Sequence, residues 1–121
     1  MIAHTTLHVS DYQKSKAFYI EVLKTLGYVN NMELGHAAGF HDGENTDFWM
    51  VEDKVAPTHL AFTAKSKAEV EAFYKAALEA GATDNGAPGY RKEYWPGYYA
   101  AFVLDRDGHN IEAVFFDYTE K

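Results

Sequence analysis

His4-Thr5-Thr6-Leu7-His8-Val9 decides the fold, because its outline returns fifty-five positions later as His59-Leu60-Ala61-Phe62-Thr63. At that offset Ala17, Phe18 and Tyr19 fall on Ala72, Phe73 and Tyr74, Leu23 falls on Leu78, and Asn30 on Asn85. In each copy a histidine opens a short alternating segment, and a segment with helical spacing then carries Ala-Phe-Tyr. Two copies are too few for a solenoid, so the repeat reads as a pair of modules.

The patterning of each copy predicts its elements. Leu7 and Val9 share one strand face, and His4, Thr6 and His8 share the other. Ser10 and Gln13 have capping-box spacing and predict a helix carrying Phe18, Val22, Leu23 and Leu26, ended by Gly27. In the second copy Ser66 and Glu69 repeat the capping spacing, Val70, Phe73, Ala77 and Leu78 form the apolar stripe, and Gly81 ends the helix. Strand candidates follow at 28–34, 37–41 and 48–51, with Asp42-Gly43 as a turn, and at 91–94, 98–105 and 110–116, with Asp107-Gly108 between the last two. Each copy is therefore βαβββ. The expected fold is α+β: two paired βαβββ modules forming a curved eight-stranded mixed sheet, with helices outside and a concave pocket inside. No linker or low-complexity run divides the chain, so one domain over 1–121 is expected, module one about 1–55 and module two about 56–121.

Composition narrows the function classes. A chain of 121 residues, 47% hydrophobic and 16% aromatic, has the makings of a packed core. Its formal charge of −7 repels phosphate backbones and anionic lipid, so neither nucleic acid nor a membrane is an expected partner. The absence of cysteine excludes disulfides, thiolate metal ligands and cysteine nucleophiles. No apolar stretch approaches the roughly 20 residues of a membrane span, and the N-terminal residues run straight into a strand pattern. A cytoplasmic protein is the expectation.

Three polar residues stand out on this scheme. His4 and His59 open equivalent strands, each on the face opposite the apolar residues. Glu112 lies in the last strand, opposed to Ile111 and Ala113. If pseudo-twofold symmetry brings these strands together, two imidazoles and a carboxylate converge. That donor set suits a borderline divalent cation and leaves coordination positions open for a substrate.

The run from His4 to Asp11 with Ser15-Lys16-Ala17-Phe18-Tyr19, and the run Pro96-Gly97-Tyr98-Tyr99-Ala100-Ala101-Phe102 with Asp105-Arg106-Asp107-Gly108-His109-Asn110-Ile111-Glu112-Ala113, resemble the two ends of vicinal oxygen chelate proteins. This is the superfamily of glyoxalases, bleomycin-resistance proteins and extradiol dioxygenases, and the resemblance covers essentially the whole chain. It implies one divalent metal ion (zinc, nickel, manganese or iron) held by His4, His59 and Glu112, with glyoxalase-like lyase or isomerase chemistry, or ring cleavage, on a small oxygen-chelating substrate. It equally admits a metal-free drug- or metabolite-sequestering protein of the bleomycin-resistance type. Homodimerisation is implied as well, since some relatives build each site from two chains. Glyoxalase I-like members carry a fourth ligand in the last strand of module one. Aligning Asp47-Phe48-Trp49 on Asn110-Ile111-Glu112 puts Trp49 there, and an indole offers no lone pair to a metal.

The remaining candidates have open alternatives. His8 shares a face with His4 and reads as an acid–base group beside Glu112, as a pocket liner, or as a residue exposed at the sheet end. Trp49 and Tyr98, with Tyr94, Trp95 and Tyr99, read as core packing or as walls of an apolar pocket for a cyclic or conjugated substrate. Arg91 reads as an anchor for a carboxylate or enolate oxygen, or as a solvated loop residue.

Overall fold

In the computed structural model, which describes residues 1–120, each module is built from one helix and four strands. Module one comprises β1 (Thr5–Val9), α1 (Tyr12–Lys24), β2 (Val29–Glu33), β3 (Ala37–His41) and β4 (Thr46–Glu52). Module two comprises β5 (His59–Thr63), α2 (Lys67–Glu79), β6 (Thr83–Tyr90), β7 (Tyr98–Leu104) and β8 (Asn110–Phe116). The strands form two four-stranded mixed sheets of the same topology, β1-β4-β3-β2 and β5-β8-β7-β6, each with one parallel pair at the edge. No hydrogen-bonded ladder joins β1 to β5 among the described residues, so the eight expected strands come as two matching sheets.

The two helices start and stop by the same chemistry. The N-cap of α1 is Asp11, whose carboxylate accepts from the Lys14 backbone N–H at 3.0 Å, one residue beyond the expected Ser10. Ser10 turns away and gives its hydroxyl to Asp107 at 2.5 Å. In α2 the cap is Ser66, as expected, with Glu69 as the donor of the first bond. Both helices close with a left-handed glycine, Gly27 and Gly81. Next to each, a backbone N–H (Tyr28 and Ala82) reaches back to the carbonyl of Leu23 and Ala77.

Two local expectations are corrected. The segment 91–94 is a turn, and the strand that precedes β7 runs earlier, over Thr83–Tyr90. Asn85, Gly86, Pro88 and Gly89 disguise it, because β6 is an edge strand whose pairing to β7 slips twice, around Gly86 and before Gly89. Leu78 is 37% exposed although it was expected in the α2 stripe. Val70, Phe73 and Ala77 point inward at i, i+3 and i+7, and Leu78 falls on the margin of that arc.

One hydrophobic cluster draws from both modules, including Leu7, Tyr19, Phe48, Phe62, Phe73 and Ile111. Phe62 meets Phe48 and Tyr28 edge-on at centroid distances of 5.2 and 5.5 Å, which carries the core across the junction. Polar ties complete it. Tyr19 donates to Asp105 at 2.5 Å, and His109, fully buried in module two, reaches the His8 carbonyl at 2.7 Å.

Several tyrosines titrate with folding. Burial pushes Tyr19 and Tyr28 well above the ordinary value of 10.0, and raises Tyr99 to about 12. The unfolded chain therefore loses its phenolic protons first. The stability these groups supply is intact below about pH 10 and drains away as pH climbs toward the folded values. An alkaline titration followed by phenolate absorbance and circular dichroism should show the buried tyrosines ionising together with loss of structure.

Candidate active site

The face of module two opposite its helix carries the polar group of interest. On β8, Ile111 and Ala113 enter the shared core, so Asn110, Glu112, Val114 and Phe116 line the other face. On β7, Ala100 and Phe102 lie on that same face, with Tyr98 and Phe116 packed against them. Glu112 is 1% exposed there, a carboxylate among mostly apolar side chains.

Two neighbours satisfy it. His59 Nε2 lies 2.8 Å from Oε1, and the Tyr98 hydroxyl donates to Oε2 at 2.5 Å. An ionised carboxylate only accepts, so the facing imidazole nitrogen carries a proton. The His59 side chain is 52% exposed, so the buried carboxylate is met at its surface by a ring open to solvent. Burial first, then the bond to Glu112 and its charge, hold the Tyr98 phenol far above its ordinary range, so it is a fixed donor. Beside this group the Asn110 Oδ1 is buried with no hydrogen-bond partner, and Asn110 pairs in register with His59.

Module one repeats the frame with different contents. Thr6 pairs with Trp49 across β1–β4 as Ala61 pairs with Glu112 across β5–β8, so Trp49 is the register counterpart of Glu112. Gly39 faces Trp49 where Phe102 faces Glu112. A Cβ at Gly39 would come within 2.9 Å of the indole and of Thr46, so glycine makes the room in which the tryptophan lies. His4 is exposed just ahead of β1. It lines a cleft of about 420 Å³ between the modules, along with Asp47, Phe48, Leu60 and Phe62. Burial pushes the Asp47 carboxyl up, and its Oδ1, like that of Asn110, has no hydrogen-bond partner.

The structure thus brings His59 and Glu112 together, with Tyr98 attached, and leaves His4 apart from them within the chain. Among the described residues the one trio of His, Asp or Glu with ligand atoms within 4.8 Å of one another is Asp105, Asp107 and His109. That trio is already engaged. Asp105 accepts from the Asp107 and His109 backbones and from Tyr19, and Asp107 accepts from Ser10. His109 Nδ1 accepts from the Thr58 N–H at 2.9 Å, which leaves Nε2 as the donor to His8. The trio stitches a turn to module one through Ser10, Tyr19 and the His8 carbonyl, partners far away along the chain.

His8 is exposed on the open face of β1, its Nδ1 bonded to the Lys54 carbonyl at 3.1 Å and its Nε2 without a hydrogen-bond partner among the described residues. Four steps along the extended chain separate it from His4, about 13 Å. Arg91 leaves β6 and stacks over Phe102 at 5.3 Å. Tyr94 and Trp95 are half-exposed beside Tyr98 and Phe116 in an aromatic rim, whereas Tyr99 faces the core and bonds Glu71.

The glyoxalase/bleomycin resistance protein/dioxygenase superfamily model matches residues 1–113. Among solved structures, a glyoxalase/bleomycin resistance protein from Albidiferax ferrireducens T118 is 27% identical. It covers 93% of this chain and 96% of its own, with a TM-score of 0.82. A lactoylglutathione lyase from Agrobacterium tumefaciens, 22% identical over 95% of this chain and 92% of its own, has a TM-score of 0.71 and shares the fold. A family enzyme from Burkholderia phytofirmans PsJN is similar at 19% identity, 95% and 98% coverage and a TM-score of 0.74. A search of curated protein sequences finds no match.

Proposed function

Because this chain belongs to the glyoxalase/bleomycin resistance protein/dioxygenase superfamily, we propose that it is a divalent-metal enzyme whose site joins His59 and Glu112 of one copy to His4 of a second copy. The observation that carries this reading is the buried carboxylate with an imidazole nitrogen 2.8 Å away. Two ligands each about 2.1 Å from one cation sit roughly 3 Å apart, so the spacing fits a shared metal. A carboxylate buried on a largely apolar face is a poor way to gain stability, since an apolar residue of the same volume commonly does as well or better.

The donor set is neutral nitrogen plus carboxylate, with no soft ligand, which suits zinc, nickel, manganese or iron. When bound, such a cation polarises the substrate's oxygens and stabilises the negative charge that develops on them. The chain's own groups do the rest. Tyr98 fixes the Glu112 carboxylate by holding Oε2. His59 turns its open ring toward the cation position. Trp49, in the slot of a fourth ligand, walls the trough as a flat apolar surface for a planar substrate. Glu112, and His8 through its Nε2, are assigned to proton movement, His8 toward the far end of a longer substrate. The reaction assigned is glyoxalase-like isomerisation or lyase chemistry, or ring cleavage.

A second reading rests on the same contact. The His59–Glu112–Tyr98 chain is satisfied without a cation, as a metal-free trough that sequesters a drug or metabolite would require.

Complementation separates the possibilities. His4→Ala and His59→Ala proteins should each bind no metal. Mixed and allowed to exchange subunits, they should regain a site in each mixed pair. A mixture that stays metal-free while the unaltered protein loads would end the shared-site proposal. Tyr98→Phe should fold normally and bind metal about 10–100-fold more weakly, the usual effect of losing an outer hydrogen bond to a ligand; unchanged affinity would remove Tyr98 from the site.

A further inference from the structure

The face of module two opposite its helix carries a guanidinium that is held in place without a carboxylate partner among the described residues. Arg91 Nη1 donates to the Gly89 carbonyl at 2.9 Å and Nη2 to the Ala87 carbonyl at 2.7 Å. The Phe102 ring lies beneath, 5.3 Å from the guanidinium carbon. A Cβ at Gly86 would meet Nη2 at 3.2 Å and one at Gly89 would meet Nη1 at 3.1 Å, so two glycines make the cradle. Both lie where β6 slips against β7. A solvated loop arginine needs none of this.

No carboxylate pairs with Arg91 among the described residues, although the chain carries eighteen acidic side chains. Guanidinium has five N–H donors, and the chain uses two. Phe102, on which it rests, is the cross-strand partner of Glu112, and its ring lies 6.2 Å from that of His59. The free donors therefore sit one aromatic ring away from the His59–Glu112 pair.

We propose that Arg91 is the anchor for a carboxylate on the substrate, which makes the ligand of this trough a planar organic acid. The acid group lies against the guanidinium fork, and the oxygens at the substrate's other end, one aromatic ring away, point to His59 and Glu112. The fork geometry suits a carboxylate, and a partly buried cation gains most from an anion that displaces little water. In a chain with a net charge of −7, the Glu112 side of the trough repels anions, so a fixed local cation is what admits an acid at all. This inference names the substrate class of the site proposed above. It also stands without a metal, because the guanidinium is held by the chain alone.

The test uses metal-free, nitrogen-15-labelled full-length protein, so that failure of metal binding and failure of the anchor are read separately. Benzoate is titrated while the Arg91 side-chain N–H signal, identified by its loss in Arg91→Gln, is followed; benzamide serves as the neutral control. Benzoate should shift that signal saturably with a Kd on the order of 1 mM or tighter. Benzamide should bind at least about 10-fold more weakly, the least that a charge-assisted contact is worth. No saturable shift, or equal binding of the acid and the amide, would overturn the proposal. If Arg91→Gln folds, its tryptophan fluorescence should show no preference for benzoate; a preserved preference would overturn it equally.

Discussion

Glu112→Gln should leave the fold intact and abolish metal binding. The amide has the size of the carboxylate and can still accept from Tyr98 and face His59, so packing around it is kept. What disappears is the carboxylate oxygen that would face the cation. Loss of an outer partner of a ligand costs about 10–100-fold in metal affinity, so loss of the ligand's charge should exceed 100-fold, with turnover falling alongside. Stability should change little, because the amide keeps the volume and the bond from Tyr98. Metal retained at full stoichiometry by Glu112→Gln would mean that the cation, if one binds, sits elsewhere.

His109→Phe should have the opposite profile, with a large loss of stability and no direct effect on the trough chemistry. His109 is fully buried and uses both ring nitrogens, one accepting from Thr58 and one donating to His8 in the other module. Phenylalanine fills the volume and leaves both backbone partners unmet, at about 1–3 kcal/mol each. A loss of about 3 kcal/mol is expected, equivalent to a fall of the melting temperature on the order of 10 °C for a chain of this size. Urea unfolding measures it directly, and a loss below about 1 kcal/mol would show that water replaces the imidazole at both ends.

The repeat was legible because strand alternation and helix capping are local. His4 and His59, Leu7 and Phe62, and Asp11 and Ser66 fall in corresponding places since the same short-range chemistry acts twice. The register match of Trp49 with Glu112 was legible for the same reason, as both follow from counting along strands of period two. β6 was not legible. Its glycines and proline serve a slipped edge and the Arg91 cradle, and tertiary use overrode strand propensity there. The two orphan oxygens of Asp47 and Asn110, and the engagement of Asp105 and Asp107, depend on distances through space that no spacing in the chain encodes. The convergence of Glu112 with His59 could be read from the pseudo-symmetry. The separation of His4 from that pair within the chain could not, because it depends on how the two modules pack against each other.

Metal content per chain tests the central claim most directly. Protein is equilibrated in turn with zinc, nickel, manganese and iron, freed of excess, and assayed for bound metal. One divalent cation per chain is expected with at least one of these metals, lost in His59→Ala. Wild-type protein that retains none of the four, while remaining folded, would contradict it.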